Sequence, residues 1–350
     1  MNSYKNIIWV DFIRVFATFS VVLLHSSASL LYKYNELPLI YWWVGNLYNS
    51  ATRMCVPLFF MLSGYLLLGK TEPLRIFFTK RINKVVVPLF MWSIFYVLWK
   101  AYYEKSISIS FDSFYGILSQ PTYFHLGFLY QILSLYLYLP ILRVIVQKSD
   151  TKILYYFVTL WILAASVIPF AEKFTKFSIG IDLKMFSGFV GYMLIGYLLG
   201  HVKFINKLLL TCLFLVVVSI SITAIGTFYL TVANAGNLVE TLYEYSSPNI
   251  ILLSISSFPF LKHCGENSRI LNSKSSITII KKLASASLGI YLIHPIFLNL
   301  FAEGRLGFTI SSIHGNPVYS IPITAICVFL FSFITVCVLQ KTPVINRSVP

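Results

Sequence analysis

Runs of about 20 apolar residues recur along almost the whole chain, each long enough to cross a hydrocarbon core about 30 Å thick. No other feature narrows the possible folds so far. In lipid, every backbone N–H and C=O must be satisfied within the structure. A span of this length is therefore a helix, because a membrane strand needs only about ten residues of alternating polarity. Composition agrees. The chain is 57% hydrophobic and 11% charged, where a soluble domain carries about 25% charged residues. Mean hydropathy is +0.78. The expected fold is an all-α polytopic membrane bundle in a single domain over residues 1–350.

The apolar runs place ten spans, at roughly 8–32, 41–69, 83–103, 125–147, 152–171, 183–201, 206–232, 247–263, 282–302 and 319–340. The eighth, "SPNIILLSISSFPFLKHC", is short and contains Pro259. The first run is too long for a signal-peptide core, contains Arg14 and is followed by no small-residue cleavage site, so it is expected to remain as a span. With the N-terminus in the cytoplasm, the inside segments hold 18 of the 27 Lys and Arg residues and the outside segments hold 7, with Arg14 and Arg53 inside spans. Removing the eighth span would put five basic residues of the following loop outside. The charge bias therefore favours ten spans with both termini inside. The longest outside segments, about 104–124 and 233–246, suit the cover of a site and are too short for a second domain.

The net charge of +15 falls in short patches between spans. That pattern fits membrane orientation and contact with anionic lipid headgroups, and it excludes a nucleic-acid-binding domain. Four of the five cysteines (Cys55, Cys212, Cys264, Cys327 and Cys337) lie in expected spans. Their spacing fits neither a metal motif nor a disulfide framework.

A charged side chain at membrane depth costs at least about 2.5–3.5 kcal/mol, so the polar residues inside spans are informative. "DFIRVFATFSVVLLH" holds Asp11, Arg14, Thr18 and His25. Arg14 and His25 are separated by about three full turns, which puts them on one face about 16 Å apart along the axis. Asp11 is within pairing distance of Arg14. This stripe reads as a lining of a polar path, against the simpler reading of a headgroup-level ion pair and a satisfied bundle histidine. Arg53, in "SATRMCVPLFFMLSGYLL", is either a site residue or half of an interhelical salt bridge. Ser63 and Gly64 in the same stretch indicate close helix packing. "KRINKVVVP" brings Lys80, Arg81 and Lys84 to the cytoplasmic end of the third span, either as a topology signal or as an anion site for a phosphate-bearing cosubstrate. His125 in "YFHLGFLY" and His294 in "SLGIYLIHP" lie at an outer depth similar to that of His25. No paired histidines or nearby carboxylates support a metal centre, and none is expected. Imidazole as a proton acceptor is the better match.

Taken in order, Arg14 and His25 in the first span, "RMCVPLFFMLSGYLL", "KRINKVVVP", "FHLGFLY" and "SLGIYLIHP" resemble the acyltransferase-3 family of integral membrane acyltransferases over nearly the whole chain. Within it, the nearest form is the short one typified by the O-acetyltransferase of enterobacterial common antigen. The resemblance implies ten helices in a bacterial cytoplasmic (inner) membrane. It implies acetyl-CoA or a similar acyl-CoA as the donor cosubstrate, and as acceptor a hydroxyl of a surface glycan or polyprenyl-linked oligosaccharide. It makes Arg14 and His25 the essential pair and gives Arg81 and Lys84 the place of a basic R-x-x-R pair linked to donor binding. Lys84 departs from that pattern, losing bidentate geometry while keeping charge. Gly127 departs too, standing where members commonly have Trp. The fused esterase-like domain of some members is missing from this sequence.

On this reading His25 is a general base or covalent acyl acceptor, assisted by His125 and His294. Arg53 stabilises the oxyanion, and Arg14, Lys80, Arg81 and Lys84 hold the donor phosphates. The rival class is a glycan exporter or flippase of the same family, since buried Arg and His also mark transport pathways. Paired interrupted helices in two repeat halves, a frequent mark of transporters, are not found. A scaffold role leaves the polar stripe of the first span unexplained.

Overall fold

The computed structural model describes every residue except 1–7, 110, 176, 177, 182, 184–187 and 344. Lys5, Lys176, Lys184 and the start of the expected sixth span fall at least partly outside the described residues. Among the described residues there are helices and no strands.

Three expected spans break or widen close to a proline, while Pro140, Pro259, Pro295 and Pro322 lie within continuous helices. α1 (Ile8–Leu31) is continuous, but the second expected span is two helices, α2 (Leu39–Thr52) and α3 (Cys55–Leu67), joined at Arg53 and Met54. Pro57 accounts for the join: it has no N–H, and its ring crowds the carbonyl four residues back, that of Arg53. The third span comprises α4 (Leu74–Arg81), a wide π-helical turn over Ile82–Val86, and α5 (Val87–Trp99). The wide turn sits just before Pro88, where an ordinary turn would collide with the proline ring. α6 (Phe111–Ser119) is a short helix preceding α7 (Gly127–Lys148). α8 (Thr151–Ile162) and α9 (Ile168–Phe174) flank another π-turn at Leu163–Val167, again just before a proline, Pro169. α10 (Val190–His201), α11 (Asn206–Ala233), α12 (Pro248–Asn267), α13 (Lys274–Ala302) and α14 (Pro317–Leu339) complete the bundle.

Eight of these segments are long and apolar enough to cross a membrane, and the protein is a multi-pass membrane bundle. α10 and α12 are not among the eight, yet they occupy the places expected for spans six and eight. α10 is only 12 residues long. α12 carries Lys262, at the inner end of the expected eighth span. The structure buries Lys262 to 4% exposure, and its ammonium donates to the carbonyls of Gly200 and Val202, both at 2.7 Å. A cation that satisfies the orphan carbonyls at the end of a neighbouring helix fits both the dipole and the low dielectric.

α1 is central, packing on α2, α3, α12, α13 and α14. α3 and α10 cross so closely that a Cβ at Gly64 would lie 1.8 Å from the Met193 carbonyl oxygen, and one at Gly196 would lie 2.0 Å from that of Met61. Gly64 is thus a packing glycine, as its small size suggested. Ser63 beside it faces a cavity.

Candidate active site

Three cavities line up along the bundle. The inner one, of about 430 Å³, is lined by Arg14, Arg81 and Lys84 together with Ser63, Tyr136 and Ser285. Arg14 pairs with Asp11 at 2.9 Å, as the spacing predicts. Arg81 is held over the rings of Phe77 and Tyr136 at 5.1 and 5.3 Å, and its Nε is buried without a hydrogen-bond partner. Lys84 is exposed and has no ion-pair partner among the described residues. Lys80 is directed elsewhere, pairing with Glu72 at 3.0 Å, and does not line the cavity.

Behind this wall, Glu72 anchors the loop between α3 and α4. Arg143 donates to the Leu67 carbonyl at 2.8 Å and to Glu72 at 2.9 Å, while Arg81 reaches Glu72 at 3.9 Å. Burial would raise the Glu72 carboxyl, but the hydrogen bonds from Arg143 and Lys80 more than offset it and hold it below the ordinary carboxylate value.

The middle cavity, of about 280 Å³, shares Phe128 and Tyr291 with the inner one. Their rings meet edge-on at 5.4 Å and form the constriction between the two. Tyr291 is fixed there by its hydroxyl, which donates to the His125 carbonyl. Past the constriction stand His25 and His125. Three histidines from α1, α13 and the turn before α7 converge: the rings of His25 and His125 each lie 5.3 Å from that of His294. Pro295 orients His294. It cannot donate to the Tyr291 carbonyl four residues back, and that freed carbonyl accepts from His294 Nδ1 at 2.7 Å. Since a carbonyl only accepts, Nδ1 carries the proton. Nε2 is left as an acceptor, buried with no partner.

The outer cavity, of about 590 Å³, opens on the other side of His25. Its wall is rich in hydroxyls, among them Ser26, Ser29, Tyr32 and Ser312, and it includes Arg53 and Glu240. Arg53 forms no salt bridge among the described residues. It donates to Asn49 Oδ1 from Nε and Nη2 at 2.8 and 2.5 Å, reaches the Tyr243 carbonyl at 3.3 Å and stacks 4.1 Å above the Tyr243 ring. The position of Arg53 at the broken turn between α2 and α3 puts it beside this cavity.

His25 thus lines both the middle and the outer cavity, while Arg14 lines only the inner one. The stripe on α1 is not a continuous lining. Thr18 is fully buried and its hydroxyl donates to the Arg14 carbonyl at 2.8 Å, as polar residues inside helices often do.

The family model described as "Acyltransferase domain" matches residues 7–340. The chain belongs to the acyltransferase-3 family. No curated protein and no solved structure matches it significantly. It is a membrane acyltransferase.

Several residues of this acyltransferase's candidate site carry no clear signal in the sequence. Glu72 stands between spans in "LGKTEPLR", and Arg143 reads only as an inside charge. A chain with just 12 acids among 350 residues gives each acid near a basic cluster some weight, a signal that could have found Glu72. Glu240 and Tyr245 arrive from the segment between α11 and α12, whose role as a cover for a site was foreseen without naming them. Among the described residues, no group of three or more His, Cys, Asp or Glu side chains is arranged to hold a metal ion.

Proposed function

We propose that this acyltransferase moves an acetyl group from acetyl-CoA to a hydroxyl of a cell-surface glycan or its polyprenyl-linked precursor at the bacterial inner membrane, in the manner of the enterobacterial common antigen type. One observation carries the reading: His25 lies on the wall shared by the middle and outer cavities, with the basic inner cavity beyond them. The donor then enters from the cytoplasmic side. Its phosphates rest on Arg81, Lys84 and Arg14, and its pantetheine arm passes between Phe128 and Tyr291. The unpartnered Arg81 Nε and the unpaired Lys84 suit an anionic ligand.

The acceptor comes to His25 from the outer cavity. Its hydroxyl oxygen attacks the thioester carbonyl as His25 takes the hydroxyl proton. The tetrahedral oxyanion collapses with cleavage of the C–S bond, and the coenzyme thiolate takes the proton back from His25. Arg53 contributes positive charge on the outer side, and its fixed hydrogen bonds hold it in place beforehand. His294 Nε2 offers a second acceptor for the transferred proton. His125 shapes the same pocket.

The test is mass spectrometry of surface glycans from cells carrying wild-type protein, His25→Ala or Arg14→Ala, with membrane levels of each variant measured in parallel. Both variants are expected to insert normally and to leave the glycan without its acetyl mass. Acetylation retained in His25→Ala overturns the base role. An unmodified glycan that disappears from the surface identifies transport as the activity.

A further inference from the structure

Gly127 has neither a conformational nor a packing reason to lack a side chain. Its backbone is ordinary right-handed helix, with φ −51°, and glycine weakens a helix relative to alanine. Where neighbours demand a glycine, the geometry is unmistakable: a Cβ at Gly64, Gly191, Gly196 or Gly200 would lie within 2.2 Å of a heavy atom of another helix. At Gly127 the nearest atom outside its own turn and chain neighbours is Pro121 Cγ at 3.6 Å, an ordinary contact. Gly127 does line the middle cavity, beside His125 and Phe128. A residue without a side chain thus stands in the wall of the compartment that also contains His25.

That compartment holds about 280 Å³, and much of its wall is hydrocarbon from Val21, Leu24, Val56, Phe60 and Phe189. A donor thioester that reaches His25 from the inner cavity must place its acyl group here. We infer that the middle cavity is an acyl pocket that admits chains longer than acetyl, with its depth set by Gly127. The inference rests on the acyl-CoA reading above and extends it to the class of acyl group.

The experiment measures binding of acetyl-CoA, butyryl-CoA, hexanoyl-CoA and unacylated coenzyme A to the full-length protein in phosphatidylcholine nanodiscs, by calorimetry. Each methylene that enters the apolar wall tightens binding by up to about fourfold. Wild-type protein is expected to bind butyryl- and hexanoyl-CoA more tightly than acetyl-CoA. In Gly127→Leu the hexanoyl-to-acetyl affinity ratio is expected to fall at least about tenfold. Gly127→Ala should move that ratio the same way by less, and it serves where the larger side chain prevents folding. A wild-type preference for acetyl-CoA, with the ratio unchanged by substitution, overturns the acyl pocket while leaving the donor reading standing. Failure of all four ligands to bind wild-type protein removes the donor reading and this inference together.

Discussion

The inner and outer cavities differ in what their charged groups are free to do. The inner wall contains two arginines and a lysine and no acid. Among the described residues, Arg81 keeps an unpartnered Nε there and Lys84 has no ion-pair partner. The outer wall carries hydroxyls from Ser26, Ser29, Tyr32 and Ser312 among apolar neighbours, and its arginine, Arg53, is already engaged by Asn49 and by the carbonyl and ring of Tyr243. A basic wall with unused donors suits a ligand that brings its own phosphates, while a hydroxyl-bearing wall with a pre-satisfied arginine suits one that offers hydroxyls. On the proposed reading the two ends divide the work: one recognises charge, and the other recognises shape and hydrogen bonds. His25 stands between them.

This contrast can be broken from either side. The largest effect is expected on the inner side. Arg81→Ala combined with Lys84→Ala removes the two charge-assisted contacts proposed for the donor, each worth about 1.5–3 kcal/mol, and should raise KM for acetyl-CoA by about 100-fold or more. KM for the acceptor should stay within about twofold. Steady-state kinetics in which each substrate is varied separately gives the answer, and equal losses for both substrates would erase the division. Next comes the outer side. Arg53→Ala frees Asn49 and the Tyr243 carbonyl and removes the fixed charge near His25. The expected result is about a tenfold fall in kcat with little change in KM for acetyl-CoA. Ionic strength gives a milder probe: raising salt to about 1 M shortens screening to about 3 Å and should weaken donor binding more than acceptor binding.

Some of this contrast was legible in the sequence. Helical spacing places Arg14 beside Asp11, and the apolar runs place His25 near the outer end of α1. The "HP" pair in α13 even implies a free carbonyl for His294. Partition of the stripe was not legible. Whether Arg14 and His25 share one channel depends on Phe128 and Tyr291, which come from α7 and α13 and close a constriction only once those helices pack. The partner of Arg53 was hidden for a related reason. Asn49 sits one turn earlier on the same helix, so the local pair is readable, but the Tyr243 carbonyl comes from 190 residues away. Likewise Gly64 reads as a packing glycine from its own span, while its counterpart Gly196 on α10 is identified only by the crossing itself.

The smallest expected effect concerns the support behind the inner wall. Among the described residues, the inner-cavity side chain that Glu72 pairs with is Arg81, at 3.9 Å, and partly exposed ion pairs contribute about 0.2–1 kcal/mol. Glu72→Gln keeps an acceptor for Arg143 and removes the charge, so KM for acetyl-CoA should change by about threefold or less. Its stability signature is more telling. The Glu72 carboxyl lies below its ordinary value of 4.5 in the folded protein, so the unfolded chain binds the proton more readily. The stability it contributes is fully present above that ordinary value and is lost as pH falls through the folded one. Thermal unfolding of wild-type protein and Glu72→Gln should therefore differ most at neutral pH, and the gap should close as the pH is lowered below 4.5. A gap independent of pH would mean that Glu72 acts through shape alone, and that the inner wall holds Arg81 in place without help from its charge.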